Sequence, residues 1–150
     1  MGLVVSAYDC AQDAPSSVEG RGVFFEHYYS AMRLRVTRLN PSVPLPVYSS
    51  PGAAAFDLAA AEDVDVPPGQ IRLIGTGLVI KVPDQHFLAI IARSSTPLKR
   101  GLVVANSVGV IDPDYCGPAD EVKIQVMNVT AAPVAVKSGD RIAQAMVLPA

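Results

Sequence analysis

Apolar and polar residues alternate along short stretches of this chain, and the alternation has the period of a β-strand. Over 32–37, Met, Leu and Val alternate with Arg and Thr, which is typical of a strand with one buried face. The pattern therefore predicts short strands joined by tight turns. Further short apolar segments, most of them separated by Pro, Gly, Asp or Ser, lie at 56–60, 64–66, 70–74, 78–82, 87–92, 102–105, 108–111, 122–128, 134–136 and 142–148.

Helical periodicity is nearly absent. Residues 96–100 include Pro97, and we expect them to form one helical turn at most. Thirteen prolines and eleven glycines are spread along the chain rather than clustered, which would interrupt any long helix. Strands at this spacing indicate an all-β sandwich or jelly roll.

Composition and charge exclude several classes of protein. Half of the 150 residues are hydrophobic and 17% are charged, which excludes an intrinsically disordered chain. No apolar run is long enough to span a membrane. The net charge is −2 without a dense basic run, so we expect a small-molecule ligand and no direct nucleic-acid binding. Cys10 and Cys116 form neither a zinc motif nor a disulfide framework, which favours a reduced, cytoplasmic compartment.

The first 31 residues differ in composition from the rest of the chain. They hold five of the nine aromatic residues, and four acidic residues against one basic residue. The basic start and apolar stretch of a secretory signal are missing from this segment. We therefore predict a leader of unassigned role at 1–31 and a single β domain at 32–150.

Four clusters of residues carry candidate chemistry. Residues 52–58 read Gly-Ala-Ala-Ala-Phe-Asp-Leu, and residues 93–95 read Arg-Ser-Ser. An arginine followed by two hydroxyls suits phosphate oxygens, through charge-assisted hydrogen bonds. Residues 106–117 place two aspartates and a tyrosine at a turn after an apolar strand, and residues 139–144 read Gly-Asp-Arg-Ile-Ala-Gln. Each cluster alone is also ordinary for a strand end or a turn.

Together and in this order, the four clusters resemble the homotrimeric dUTPase family. The resemblance covers most of 32–150, and it is strongest at 110–115 (Val-Ile-Asp-Pro-Asp-Tyr) and 139–144. It implies a distorted jelly-roll, or β-clip, fold and a homotrimer whose active sites are shared between subunits. It also implies hydrolysis of dUTP to dUMP and pyrophosphate with Mg²⁺, which supplies dUMP and keeps uracil out of DNA.

The resemblance assigns roles at the base, the sugar and the scissile phosphate. Asp112 matches the catalytic acid that holds the attacking water and takes its proton. Tyr115 matches the aromatic residue that packs on the deoxyribose and excludes a 2′-hydroxyl. Asn106 matches the residue near the uracil edge, and the strand backbone up to Val110 would read the rest of the base.

The resemblance also assigns the phosphate and metal contacts. Arg93, Ser94 and Ser95 match the phosphate-binding motif, and Gln144 matches a phosphate contact at the start of the last strand. Asp57 matches an acid that would order water around Mg²⁺. A dense carboxylate cage is not required, because Mg²⁺ often keeps several waters and binds substrate phosphates.

The sequence departs from the family pattern at several places. The family normally ends in a Gly-rich arm over the nucleotide, whereas this sequence stops after its last predicted strand. Truncation, weak activity and closure from elsewhere all remain open. Cys116 stands where the family usually has Arg, and the stretch 117–121 is a few residues longer than usual.

Two alternative functions follow from these features. The first is a nucleotide-binding module of the dUTPase type with weakened catalysis. The second is dCTP deaminase, a family with a similar fold that also carries an Arg-Ser-Ser motif. Deamination needs a carboxylate, and Gln125 occupies the place where we would expect that glutamate, so deamination is the less favoured alternative.

Overall fold

The protein is built almost entirely of short β-strands. The computed structural model describes residues 5–7, 22–27 and 32–150, and the remainder of the predicted leader at 1–31 lies outside the described residues. The elements are β1 Val5–Ala7, β2 Gly22–His27, β3 Met32–Arg38, β4 Phe56–Ala59, β5 Val64–Val66, β6 Ile71–Gly75, β7 Leu78–Lys81, β8 His86–Ala92, α1 Ser95–Arg100, β9 Leu102–Val104, β10 Gly109–Ile111, β11 Lys123–Asn128, β12 Val134–Val136 and β13 Arg141–Pro149.

The strand prediction is confirmed. Each apolar segment predicted from residue 56 onward contains an observed strand, with ends that agree to within one residue. Strand ends coincide with the predicted turn residues because Pro and Gly cannot continue a regular ladder without loss of a hydrogen bond or of packing.

The described strands form four sheets, and apart from β1, β2 and β3 the paired neighbours are distant in sequence. The sheet orders are β1-β2-β3-β7, β10-β8-β13-β4, β6-β11-β9 and β12-β5. In the second sheet, β13 lies between β8 and β4 and pairs with both in antiparallel fashion. Such long connections between paired strands are typical of jelly rolls, and the predicted all-β, jelly-roll fold class is confirmed.

The core lies between the sheets and follows the alternation in the sequence. On β11, Ile124 and Val126 are buried, whereas Lys123 and Gln125 are exposed. The same alternation places large aliphatic side chains from most strands in one buried cluster. Hydrophobic burial of this kind supplies most of the driving force for folding.

Asn128 is a buried polar residue with its hydrogen bonds satisfied. Its Nδ2 donates to the carbonyl oxygens of Val66 and Ala132, at 2.8 and 2.7 Å. Its Oδ1 accepts from the backbone N–H and the hydroxyl of Thr130, both at 2.8 Å. The amide therefore joins the end of β11 to β5 and to the following turn, without the cost of an unpaired buried polar group.

Helix α1 is longer than the single turn expected from the sequence. It spans six residues, and Pro97 lies in its first turn. A proline is tolerated there because the first N–H groups of a helix have no partner within the helix. The helix ends at Gly101, which has a φ of +64° and donates its N–H to the carbonyl of Pro97. Among the residues that the structure describes, no helix has the length and apolar character needed to cross a membrane.

Candidate active site

Three elements meet at one end of the β8–β13 pair and enclose a positively charged cavity. Residues just after β8, the helix α1 and the start of β13 line a volume of about 370 Å³. Its walls carry four basic side chains and one carboxylate, and we call this the cationic cleft: Arg93, Lys99, Arg100, Arg141 and Asp140, together with Ser95, Thr96 and Gly139. Guanidinium groups and hydroxyls in this arrangement suit a polyanionic ligand such as a phosphate chain.

Asp57 lies beside the cationic cleft and forms ion pairs with two arginines that line the cleft. The carboxylate is 8% exposed, and its Oδ1 accepts from Arg93 Nε at 2.6 Å. Its Oδ2 accepts from Arg141 Nη1 at 2.9 Å and from the hydroxyl of Ser49 at 3.2 Å. The cross-strand register that pairs β4 with β13 brings Asp57 to this position. Asp57 therefore orients two guanidinium groups that line the cleft.

The described residues do not form a carboxylate cage for a metal ion. Within 32–150, no group of three His, Cys, Asp or Glu side chains is close enough to hold a metal. Both oxygens of Asp57 already accept hydrogen bonds from cationic groups. This donor set fits Mg²⁺ only as an ion bound mainly to substrate phosphates and water. The water-mediated role of Asp57 at a metal remains a prediction.

The other predicted phosphate contacts lie in or beside the cleft. Ser95 lines it, and Ser94 is exposed at the start of α1, where its side chain makes no capping hydrogen bond. Gln144 lies on β13 opposite Asp57 and Ile91, and its Nε2 donates to the carbonyl of Ala92 at 3.1 Å. Arg93 and Ser95 therefore share one cavity, whereas Ser94 and Gln144 lie next to it.

Thr96 lines the same cavity, but its hydroxyl oxygen is buried within the fold. The residue is 4% exposed, and its Oγ1 has no hydrogen-bond partner. Buried hydroxyls are almost always paired in native proteins, and an unpaired one calls for a specific explanation. The oxygen is closed off from solvent, so a ligand in the cleft would not reach it without movement of neighbouring side chains.

Arg100 and Asp140 close one side of the cleft with a bidentate ion pair. Nη1 and Nη2 of Arg100 donate to Oδ2 and Oδ1 of Asp140, at 2.5 and 2.8 Å. Asp140 also accepts the backbone N–H of Lys137 at 2.9 Å. The hydrogen bonds from Arg100, followed by that from Lys137, lower the pKa of Asp140 from 3.8 to about 2, against the opposing effect of burial.

We expect Asp140→Asn to lower the free energy of unfolding by about 1 kcal/mol at neutral pH, a figure reduced because the pair is partly exposed. Because the folded pKa of about 2 lies below the ordinary value of 3.8, this stabilisation is present above pH 4 or so. It is lost as the pH falls toward 2. Urea unfolding of the unaltered protein and of Asp140→Asn between neutral pH and pH 2 should show that their free energies of unfolding become equal in acid.

Asp63→Asn is the matched control. Asp63, in the β4–β5 turn, pairs at 2.9 Å with Lys137 of the turn that holds Asp140, but both side chains are largely exposed. An exposed pair of this kind contributes little to stability. Equal destabilisation by the two substitutions, or a loss that persists undiminished in acid, would contradict the role given to Arg100 and Asp140.

Asp112, the predicted water contact, lies far from the cleft within one chain. Strand β10 pairs antiparallel with residues 88–90 in the middle of β8, with Ile111 opposite Leu88, so the chain after β10 runs away from the cleft. The next position, Asp112, therefore lies beside residue 87, six residues before Arg93. At about 3.3 Å per residue, Asp112 and Arg93 are roughly 20 Å apart. A single chain does not bring them together.

The segment that carries Asp112 is exposed and held in a turn. The carbonyl of Asp112 accepts the backbone N–H of Tyr115 at 3.1 Å. Tyr115 is 41% exposed and Val110 is 56% exposed, although both side chains are largely apolar. Asn106 is also exposed, and its Nδ2 lies close above Gly109, where a Cβ atom would come within 3.5 Å of it. The side chains predicted to contact the nucleoside are therefore exposed on the surface of the single chain.

Several residues of the cleft and of its Asp57 support were not predicted from the sequence. Arg141 stands inside the 139–144 cluster, so its neighbours were the available signal. Lys99 and Arg100 enter the cleft because α1 forms a second turn, which the proline made unexpected. Ser49 and Thr96 carried no recognisable signal, because neither belongs to a periodic segment.

Comparison with known proteins places this fold and these motifs in one family. A protein-family model described as dUTPase matches residues 42–150. The chain belongs to the dUTPase family. The deoxyuridine 5'-triphosphate nucleotidohydrolase of Wolinella succinogenes is 39% identical to it over 77% of this chain and 76% of that protein. The enzyme of the same name from Desulfitobacterium hafniense is 43% identical over 79% of this chain and 78% of its own length.

Solved structures agree with the dUTPase assignment. The crystal structure of dUTPase from Streptococcus mutans has a TM-score of 0.70 and 35% identity, and it covers 73% of this chain and 88% of that one. A dUTPase from phage phi11 of S. aureus, described with a structural Mg(II) ion, shares the fold with a TM-score of 0.69 at 21% identity. The family resemblance seen in the four sequence clusters is confirmed.

Proposed function

We propose that this protein hydrolyses dUTP to dUMP and pyrophosphate. The observation that carries the proposal is the cationic cleft, in which residues of the dUTPase motifs at 93–95 and 139–144 come together around one cavity. The named relatives with 39% and 43% identity support the same activity. The reaction would supply dUMP and lower the dUTP available for incorporation into DNA.

The cleft suits the triphosphate. Arg93 and Arg141 face it with guanidinium groups that Asp57 holds in place, so they bind phosphate oxygens without first losing side-chain freedom. Lys99 adds positive charge on the α1 side, where Asp140 balances the charge of Arg100.

Mg²⁺ would enter as part of the substrate complex. When bound to phosphate oxygens, the ion spreads the negative charge of the triphosphate and stabilises the leaving pyrophosphate. Residues of the cleft then hold the phosphate chain itself, while Asp57 holds Arg93 and Arg141.

Asp112 acts as the general base in this proposal. Its exposed carboxylate accepts a proton from the water that attacks the α-phosphorus, and the bond to the bridging oxygen of pyrophosphate breaks. The backbone hydrogen bond between the Asp112 carbonyl and Tyr115 fixes the turn. The main chain of Asp112 is therefore held close to that of Tyr115.

The nucleoside binds beside β10. This strand is at the edge of its sheet, so one side of its backbone offers free N–H and C=O groups near Val110. A uracil edge, which carries both acceptors and a donor, pairs with such a strand. Asn106 adds a side-chain amide, and the ring of Tyr115 lies against the deoxyribose and leaves no room for a 2′-hydroxyl.

The resemblance to dUTPases implies a homotrimer with shared active sites, and the separation of Asp112 from the cleft supports sites that are shared between subunits. Because Asp112 and Arg93 are roughly 20 Å apart in one chain, the cleft of one copy requires the Asp112 segment of another. Closed cyclic assemblies provide such heterologous contacts in every subunit. The exposed apolar side chains of Val110 and Tyr115 would then be covered by the neighbouring copy. The cytoplasmic location remains a prediction from the sequence.

A nucleotide assay tests the proposed function directly. With Mg²⁺, the purified protein should release pyrophosphate from dUTP with a kcat/KM about a hundredfold above those for UTP, dCTP and dTTP. Equal turnover of UTP would contradict the role of Tyr115. Binding of dUTP by calorimetry without turnover would favour the binding module, and release of ammonia from dCTP would favour the deaminase.

A further inference from the structure

Glu121 lies where the turn that follows Tyr115 joins the core. The residues just before β11 lie beside the β6–β7 connection. Val122 donates its N–H to the carbonyl of Leu78 at 2.8 Å. The carbonyl of Val122 accepts the N–H of Thr76 at 3.2 Å. Since Val122 is fully buried, the main chain at Glu121 is attached to a rigid part of the fold.

The side chain of Glu121 strengthens this attachment. Its Oε1 accepts the backbone N–H of Gly77 at 2.8 Å, a charge-assisted bond, and its Oε2 lies 3.6 Å from Lys123 Nζ. The carboxylate fits only because residue 75 is glycine, since a Cβ atom on Gly75 would overlap Oε1. The carboxylate is thus enclosed by the backbone of the β6–β7 connection.

Glu121 also contacts Tyr115 through its main chain. The hydroxyl of Tyr115 donates to the carbonyl of Glu121 at 3.4 Å. The intervening turn is closed by Asp120, whose N–H donates to the Gly117 carbonyl at 3.1 Å and whose Oδ2 accepts the Gly117 N–H at 2.7 Å. The position of the Tyr115 ring therefore depends on a short, closed loop whose far end is Glu121.

We propose that Glu121 is a positioning residue for sugar selection: its carboxylate, bound to the β6–β7 backbone, holds Tyr115 against the deoxyribose. The inference rests on the proposed function, because it concerns the same nucleoside site. An aromatic ring excludes a hydroxyl group only if it cannot move aside when the larger sugar binds. At 41% exposure, the Tyr115 ring has little packing of its own to prevent that movement.

Glu121→Ala should lower the ratio of kcat/KM for dUTP to that for UTP by about tenfold, with kcat for dUTP changed by less than about threefold. The cleft and Asp112 are not altered, so the chemical step is retained. Glu121→Gln should keep most of the selectivity, because its amide oxygen accepts the same N–H of Gly77. Gly75→Ala should reproduce the loss, because the new methyl group displaces the carboxylate without changing residue 121.

Glu62→Ala is the matched control. Glu62 Oε1 accepts the N–H of Gly75 at 3.4 Å, so it binds the same connection, but it has no link to Tyr115. Selectivity in this variant should remain that of the unaltered protein. Thermal unfolding identifies any variant that is not folded. If Glu121→Ala does not fold, Gly75→Ala and Tyr115→Phe, which removes only the hydroxyl that reaches Glu121, test the same link.

Two failures are distinguishable. If the unaltered protein does not hydrolyse dUTP, the proposed function is wrong, and the role proposed for Glu121 is wrong as well. If the unaltered protein selects dUTP over UTP and that selectivity survives in folded Glu121→Ala, Gly75→Ala and Tyr115→Phe, the inference alone is wrong. A loss of selectivity in Glu62→Ala equal to that in Glu121→Ala would also overturn it, because the effect would then be general to the β6–β7 connection.

Discussion

Asp112→Asn is expected to lower kcat for dUTP hydrolysis by about a hundred- to ten-thousand-fold, the usual contribution of a positioned general base. The amide has nearly the same shape but cannot take a proton from water. The backbone bond from Tyr115 to the Asp112 carbonyl does not involve the side chain, so the turn should persist. Pyrophosphate release under saturating dUTP measures the effect.

Binding of dUTP should survive this substitution. The cations of the cleft are unchanged, and loss of a negative charge near the phosphates does not weaken their attraction. Calorimetry with dUTP and Mg²⁺ separates binding from turnover. A variant that retains full kcat would exclude Asp112 as the proton acceptor, whatever its affinity.

Mixing two inactive variants tests the shared site. Arg93→Ala removes a cation from the cleft but keeps Asp112. Asp112→Asn removes the general base but keeps Arg93 and the rest of the cleft. Suppose that each site combines the cleft of one subunit with Asp112 of another. Trimers formed by coexpression of the two variants in equal amounts should then show about a quarter of the activity of the unaltered trimer, because about one site in four has both parts intact. Mixtures that stay inactive, although mixed trimers are isolated, would contradict the assembly. So would an active monomer in sedimentation.

Asp57→Asn is expected to have the second largest effect, on both stability and substrate affinity. The carboxylate is nearly buried between Arg93 and Arg141, and its replacement leaves two guanidinium groups without their counter-charge. Because the arginines retain contact with water, we expect a loss of about 1–3 kcal/mol in the free energy of unfolding. KM for dUTP should rise about tenfold or more, since both cations lose their orientation.

The dependence on Mg²⁺ distinguishes the two roles considered for Asp57. If the residue orients the arginines, the Mg²⁺ concentration needed for half-maximal activity should be unchanged in Asp57→Asn. If it acts on water around the ion, a higher Mg²⁺ concentration should restore activity. Ser49→Ala is the control, because it removes only the neutral hydrogen bond to Asp57 at 3.2 Å and should change KM little.

The periodicity of the sequence was sufficient to predict the strands and the fold class. Whether a segment such as 122–128 becomes a strand depends on alternation within a few residues, which is a local property. The turn residues between segments are local signals too, and the motifs at 110–115 and 139–144 are contiguous. All of these could be predicted because they need no knowledge of what each strand packs against.

The tertiary structure alone decided which of these parts meet. Asp57 became the partner of Arg93 and Arg141 because β13 pairs with both β4 and β8. The antiparallel pairing of β10 with the middle of β8 carried Asp112 away from the cleft, although only 19 positions divide residues 93 and 112 in the sequence. Strand order and register among distant segments are set by the fit of the whole core, which no local pattern records.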